Sequence, residues 1–212
     1  MDPNDLARMR TDYPTAEPHD IASDPISLFD RWLDEALSAG IPEPNAMALA
    51  TSNRHAEPSV RIVLLKGFDS DGAVFYTNFG SAKGIDIEQN PRASAVMLWH
   101  PMHRQVRFTG AVTRVSDEEA DAYFAGRPRG AQLSAAASPQ SQVVSGRGEL
   151  EERVHELNRR YGDDPIERPA EWGGFRIGVE TMEFWEGGAD RLHNRMRYLR
   201  VDGRWQRERL AP

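Results

Sequence analysis

The chain has 212 residues, 39% hydrophobic and 28% charged, the balance of an ordinary globular protein with one sizeable core or at most two small ones. Its formal net charge of -7 is offset by no basic tail or stripe, which argues against a nucleic-acid partner and confines any phosphate site to a local cluster of Arg and Lys. It contains no cysteine, which excludes disulfides, thiolate nucleophiles, iron–sulfur clusters and Cys-based zinc sites.

Residues 1–23 are polar and punctuated by Pro14 and Pro18, and they read as a flexible N-terminal arm whose only pattern is Arg10-Thr11-Asp12-Tyr13. The start, Met1-Asp2-Pro3-Asn4-Asp5, has neither the basic nor the apolar region of a signal peptide. No apolar run approaches membrane-spanning length, so a cytoplasmic protein with no membrane partner is expected. From Asp24 to Pro212 no internal repeat or composition break appears, and a single domain is expected over 24–212. Asp24-Pro25 opens a helix with Asp as N-cap and Pro at the first helical position, and Gly40 stands just past its end. Its apolar stripe is Leu28, Phe29, Trp32, Leu33, Ala36 and Leu37.

Helical spacing then gives way to strand-length runs over 46–51, 59–68, 73–78, 93–99 and 105–115, with Asp69-Ser70-Asp71-Gly72 as turn chemistry and a short helix from Ser81 to Asn90-Pro91. Ser116-Asp117-Glu118-Glu119 is a capping box opening a helix to Ala125, and further helices are expected over 131–137 and 148–161. Alternation returns over 174–183, and the chain ends in a hairpin turning at Asp202-Gly203. Consecutive short strands with tight turns predict a mainly β fold, an antiparallel barrel or sandwich with peripheral helices.

The most concentrated chemistry lies at Phe184-Trp185-Glu186-Gly187-Gly188-Ala189-Asp190-Arg191-Leu192-His193-Asn194-Arg195. If its end is extended, Arg191, His193 and Arg195 project from one face, two guanidinium groups flanking an imidazole and suited to a planar anion. The run Arg61-Ile62-Val63-Leu64-Leu65-Lys66 carries a cation at each end, and strict alternation sends them to opposite faces unless the strand twists, bulges or meets a second subunit. Lys83 in the first turn of a helix suggests an anion held jointly with backbone amides. Gln105 in a strand needs polar partners, Tyr123 and Arg127 at four-residue spacing reach one anion, and Gln140-Ser141 offers neutral donors. Nucleotide-binding glycine loops, zinc-protease and nucleophile-elbow motifs are absent, and His100 and His103, flanking Pro101 with no nearby carboxylate, do not read as a metal site.

These residues resemble the pyridoxine/pyridoxamine 5′-phosphate oxidase family. The likeness runs in order through R-I-V-L-L-K (61–66), F-Y-T-N (75–78), S-A-K (81–83), R-Q-V (104–106), Y-F-x-x-R-P-R (123–129), Q-S (140–141), W-G-G-F-R (172–176), E-F-W-x-G (183–187), R-L-H-N-R (191–195) and R-L-A-P (209–212). The resemblance implies an FMN-binding split β-barrel, antiparallel and Greek-key-like, forming a homodimer with FMN at the interface. It implies that Arg61, Ile62, Val63, Leu64, Leu65, Lys66, Tyr76, Thr77, Lys83, Gln105, Gln140, Ser141, Trp185 and Arg195 contact FMN. Lys66, Tyr123, Arg127, Arg191, Leu192 and His193 would hold a small phosphorylated pyridine substrate, with Arg10 and Tyr13 closing over it. Arg191 and His193 would act at the reacting carbon. The implied activity is oxidation of pyridoxine 5′-phosphate, pyridoxamine 5′-phosphate or both to pyridoxal 5′-phosphate, with O2 reduced to H2O2.

The chain departs from the family pattern at Ala82, where many members have Arg, at Ala131, where many have Ser, at Asn194 for a common Asp, and at Ser134-Ala135-Ala136-Ala137, which lacks a frequent Trp. Two other readings fit parts of the pattern: a sister flavin oxidase of the phenazine-pathway type, and a flavin- or pyridoxal-phosphate-binding protein without turnover. Lys66 with the Tyr123/Arg127 pair favours a phosphorylated substrate over the first, and the intact R-L-H-x-R favours turnover over the second.

Overall fold

The computed structural model describes Asp5, Met9, residues 11–14 and residues 22–212. Arg10 and most of the expected arm lie outside the described residues. Helix α1 (Pro25–Ser38) begins as its sequence dictates: the Asp24 carboxylate accepts from the Ile26 and Ser27 amides at 3.3 and 3.0 Å. Gly40, at φ +70°, takes the left-handed conformation that ends it. The stripe buries Leu28, Phe29, Trp32 and Ala36, roughly 1.5–3 kcal/mol for each large side chain. Leu37 departs from the expectation and is 56% exposed, because it falls at the edge of that stripe.

After α1 the chain forms β1 (Ala46–Ser52), β2 (Pro58–Leu64), β3 (Gly67–Asp69), β4 (Gly72–Asn78), α2 (Ala82–Gln89), β5 (Arg92–Trp99) and β6 (Arg104–Arg114). Three helices follow, α3 (Asp117–Ala125), α4 (Arg129–Ala137) and α5 (Arg147–Tyr161), then the long β7 (Trp172–Glu186) and the hairpin β8 (Asn194–Val201) and β9 (Arg204–Arg209). The strands form one sheet in the order β2-β1-β5-β6-β7-β4-β3, with β8 pairing β7 and β9 pairing β8. The pairs β1–β2, β3–β4, β4–β7, β7–β8 and β8–β9 are antiparallel. The last hairpin turns at Asp202 (φ +50°) and Gly203 (φ +74°), the twin positive φ values of a type I′ turn.

Two of the expected strands come out differently. The run 59–68 is not one strand: β2 ends at Leu64, and the Lys66 amide donates to Val74 O at 2.8 Å, so the chain leaves β1 and takes β4 as its partner. The segment 191–195 is not extended either. Residues Ala189–Arg191 form a 3-10 turn with Asp190 and Arg191 at φ +52° and +63°, and β8 begins only at Asn194. Arg191, His193 and Arg195 therefore do not share a strand face.

The chain folds into two compact units, one of residues 1–45, 96–108 and 180–212, the other of residues 46–95 and 109–179. The first is built on Phe29, Trp32, Trp99, Phe184 and Tyr198, with Trp32 edge-on to Phe184 at 5.2 Å and Phe184 to Tyr198 at 5.7 Å. Its buried Arg104 lies 4.5 Å over the Trp32 ring and is neutralised by Glu186 (2.9 Å) and Glu35. The second contains a core cluster of Phe124, Leu133, Ile166 and Trp172. Three of its helices, α3, α4 and α5, follow one another between β6 and β7.

Candidate active site

The second unit holds a cavity of about 840 Å³ that collects twelve of the residues singled out in the sequence: Arg61, Ile62, Val63, Leu64, Lys66, Tyr76, Thr77, Lys83, Tyr123, Arg127, Gln140 and Ser141. The break after Leu64 brings Arg61 and Lys66 to one cavity despite their odd spacing, because alternation stops where the strand does. Leu65 is not on that wall; it is buried, 6% exposed. Ala82, Ala131, Ser134 and Ala135 also line the cavity, so three of the four departures from the family pattern reach its surface, Asn194 being the exception.

Lys83 is buried at 7% exposure, on α2 just after its N-cap Ser81. Its Nζ donates to Thr77 Oγ1 (3.0 Å), Ser81 Oγ (3.2 Å) and Gln140 Oε1 (3.4 Å), all neutral oxygens. Burial, with a smaller push from the Arg61 charge, brings its pKa down to about 8. Arg61 is bound differently: it donates to Thr51 Oγ1 at 2.6 Å, Leu49 O at 3.2 Å and Ser59 Oγ, and lies 3.7 Å from Asp86. Burial lowers its pKa and Asp86 opposes that.

On another part of the same wall three aromatic rings lie nearly parallel. Tyr76 stacks on Tyr123 at 3.8 Å and 8°, and Trp172 lies 5.5 Å from Tyr76 at 11°. Arg127 packs its guanidinium 4.6 Å over Trp172, and burial lowers its pKa. The Tyr76 hydroxyl donates to Glu119 at 3.5 Å; burial and then the Glu119 charge push its pKa up to about 12. Glu119 in turn pairs with Arg176, so it does not reach back to close the expected capping box, of which only the Ser116 half forms (Glu119 N–H to Ser116 Oγ, 3.1 Å). In the sequence Trp172 carries no signal of a role; its register opposite Asn78 on β4 brings it to the stack.

The first unit carries the remaining expected residues in two smaller cavities. Gln105, Trp185 and Arg195 line one of about 200 Å³ together with Arg107 and Glu183. Glu183, 7% exposed, accepts from Arg195 Nε at 2.8 Å and from Arg107, so one buried carboxylate is clamped between two guanidinium groups. Tyr13, Arg191 and His193 line the other, of about 260 Å³, with Thr11, Asp12 and Asp190 among its walls. His193 Nδ1 accepts the Gly188 amide proton at 3.1 Å, which assigns the ring proton of neutral His193 to Nε2. Burial, and after it the charges of Arg191 and Arg195, hold the His193 pKa below its ordinary value. Tyr13 lies 5.9 Å from both the His193 and Trp185 rings and 4.6 Å from His103, and Trp185 is 4.7 Å from His193. Leu192, expected among the substrate contacts, is 73% exposed and lines neither cavity. Among the described residues no cluster of His, Asp and Glu could hold a metal ion, and no helix is long and apolar enough to cross a membrane.

A mainly antiparallel sheet with helices between its strands and a cation-lined cavity belongs to the split β-barrel class. Crystal structures of two similar proteins illustrate it. PhzG from Burkholderia lata 383, in complex with tetrahydrophenazine-1-carboxylic acid, superposes with a TM-score of 0.88 at 31% identity, covering 95% of this chain and 100% of that one. A pyridoxamine 5′-phosphate oxidase-related, FMN-binding protein from Nostoc punctiforme superposes with a TM-score of 0.73 over 91% of this chain and 100% of that one, and at 20% identity bears on the fold alone. Residues 33–161 match the family model of pyridoxamine 5′-phosphate oxidase, and residues 172–212 match the pyridoxine 5′-phosphate oxidase C-terminal dimerisation region. Relatives named pyridoxine/pyridoxamine 5′-phosphate oxidase from Rubrobacter xylanophilus and Salinibacter ruber are 50% and 51% identical, each over 98% of this chain and over 97% and 99% of their own. The chain belongs to the pyridoxine/pyridoxamine 5′-phosphate oxidase family. Its last 41 residues are that family's dimerisation region, which supports a homodimer.

Proposed function

We propose that this chain is an FMN-dependent oxidase, acting in the cytoplasm as a homodimer with FMN at the interface. It converts pyridoxine 5′-phosphate, pyridoxamine 5′-phosphate or both to pyridoxal 5′-phosphate. The alcohol and O2 give the aldehyde and H2O2; the amine, O2 and water give the aldehyde, ammonia and H2O2. The observation that carries the reading is Lys83, a buried cation among neutral oxygens only. A buried ammonium without a counter-charge is costly, and a phosphate beside Thr77, Gln140 and Ser141 would supply that charge. The donor set therefore fits the phosphate of FMN.

FMN held there would supply the two-electron redox chemistry between the substrate carbon C4′ and O2. The protein binds and aligns. Ile62, Val63 and Leu64 give an apolar wall for a flat ring, and Val60 and Ile62, 68% and 67% exposed on the terminal strand β2, support an interface there. Lys66, Tyr123 and Arg127 grip the substrate's 5′-phosphate, and that remote binding energy orients the reacting carbon. Arg191 and His193 engage the pyridine ring, His193 as an Nε2 donor when neutral. In the first unit Gln105, Trp185 and Arg195 are candidate flavin contacts, with Arg195 braced by Glu183.

The likeness to PhzG favours a second reading, oxidation of a larger tricyclic substrate. Its 31% identity falls well below the 50% and 51% to relatives named for the phosphorylated pyridines, and a phosphate gripped by Lys66 and Arg127 has no counterpart in it. The test is the visible spectrum of the purified protein before and after anaerobic pyridoxine 5′-phosphate. Flavin bands that bleach and return with air, with one H2O2 per aldehyde, are expected. Flavin bands unchanged by either phosphorylated substrate would move the assignment to the tricyclic reading or to a carrier.

A further inference from the structure

Arginines drawn into the fold are mostly held by carboxylates. Arg195 is pinned by Glu183 at 2.8 Å, Arg176 by Asp69 at 2.9 Å, and Arg104 by Glu186 at 2.9 Å. Such a partner fixes the guanidinium but occupies its donors and cancels its charge. Arg127 is held otherwise. Its side chain makes no hydrogen bond or ion pair with another described residue, and it lies 4.6 Å over the Trp172 ring, with Phe124 at 6.0 Å.

We propose that Trp172 is a positioning residue for the substrate's phosphate: it orients Arg127 by stacking alone, leaving the whole donor fork and the full charge for the anion. The proposal rests on the oxidase reading. A guanidinium packed over an indole face through its carbon keeps its N–H groups uncommitted, and a phosphate in the cavity that both residues line can meet two of them at once. The same indole is parallel to the Tyr123 ring, within 4° at 6.2 Å, so it aligns both Arg127 and Tyr123. Trp172 itself is firmly seated: 5% exposed, packed in the cluster with Phe124, Leu133 and Ile166, its amide donating to Pro169 O at 2.9 Å and its carbonyl accepting from Arg168 at 2.7 Å. Ala131 on the cavity wall brings no hydroxyl to the phosphate, so the orientation of Arg127 matters more.

The test measures binding of pyridoxal 5′-phosphate and of pyridoxal to the flavin-loaded protein through the change in flavin absorbance. Trp172→Leu is expected to weaken pyridoxal 5′-phosphate about tenfold and pyridoxal hardly at all, and to raise KM for pyridoxine 5′-phosphate while kcat stays within about twofold. Trp172→Phe keeps the core filled with a smaller ring and is expected to lose about threefold, a partial rescue. In an Arg127→Ala background Trp172→Phe should cost clearly less than in the wild type, because only the alignment of Tyr123 is left to lose. Equal losses for the phosphorylated and unphosphorylated ligands, or an undiminished effect of Trp172→Phe without Arg127, would overturn the proposal. A wild-type protein that binds pyridoxal 5′-phosphate no better than pyridoxal would instead sink the oxidase reading, and this proposal with it.

Discussion

Gly187 lies directly beneath the ring of Tyr13, so close that a Cβ at Gly187 would stand 2.8 Å from Tyr13 Cγ and Cδ2 and 3.1 Å from His103 Cβ. The residue needs no special φ there; it needs to have no side chain. Its amide donates to His103 O at 2.7 Å, which fixes the backbone and leaves Tyr13 as the partner that must move. Tyr13 thereby lies against His193 and Trp185, over the cavity that also holds Arg191.

Gly187→Ala should therefore unseat Tyr13 without disturbing the flavin phosphate residues. Loss of aromatic contacts of about 0.5–1.5 kcal/mol each predicts a KM for pyridoxine 5′-phosphate raised about tenfold, with kcat within a few-fold and flavin content unchanged. Steady-state kinetics on flavin-loaded protein measures this. An unchanged KM would mean that Tyr13 does not cover the substrate.

Lys83 predicts two opposite pH dependences. In the flavin-free protein its pKa is about 8 against an ordinary 10.5, so between those values the unfolded chain binds more protons than the folded one. Stability of the flavin-free protein should then rise as pH goes from about 8 to 10.5, by something on the order of 2 kcal/mol, and Lys83→Met should abolish the rise. Affinity for FMN should run the other way. A phosphate dianion needs the protonated amine, so the FMN dissociation constant should grow by up to about tenfold per pH unit above that pKa. Denaturant melts and flavin fluorescence titrations at pH 7 to 10 separate the two. Parallel trends would contradict the phosphate role.

Much of this was legible in the residues, for reasons that can be stated. Asp24-Pro25, Gly40, Ser116 and Asp202-Gly203 act through local sterics and single hydrogen bonds, which sequence carries in full. The residues of the main cavity were legible through their motifs. What failed was whatever depends on a distant partner. Nothing in Arg61–Phe68 announces that the chain exchanges β1 for β4 after Leu64, and that exchange is what reconciles Arg61 with Lys66. Alternation through Arg191, His193 and Arg195 failed because Asp190 and Arg191 take positive φ, which their side chains do not advertise. Trp172 escaped because its partners Tyr76 and Tyr123 lie far off in sequence.

Arg191 and His193 are coupled through charge. The guanidinium disfavours the imidazolium, and protonation at Nδ1 would also set an N–H against the Gly188 amide that His193 accepts from. Arg191→Ala should raise the His193 pKa toward its ordinary value, moving the acid limb of the kcat/KM profile to higher pH; NMR titration of the ring reads the same shift directly. His193→Ala should cut kcat while flavin stays bound. Loss of flavin with turnover per bound flavin intact would remove His193 from the chemistry.

Ala82 offers a test by addition. It is the first residue of α2, next to Lys83, and lines the same cavity. An arginine here brings a third cation beside Lys83 and Arg61. Without an anion that crowding repels, so Ala82→Arg should destabilise the flavin-free protein and push the Lys83 pKa lower still. With FMN bound the new guanidinium meets a dianion and the sign reverses; a charge-assisted contact of about 1.5 kcal/mol predicts roughly tenfold tighter FMN. Thermal melts with and without FMN should cross, the variant melting below wild type when empty and above it when loaded. A variant that melts higher in both states would place the added guanidinium on some other acidic group and remove the flavin phosphate from beside residue 82.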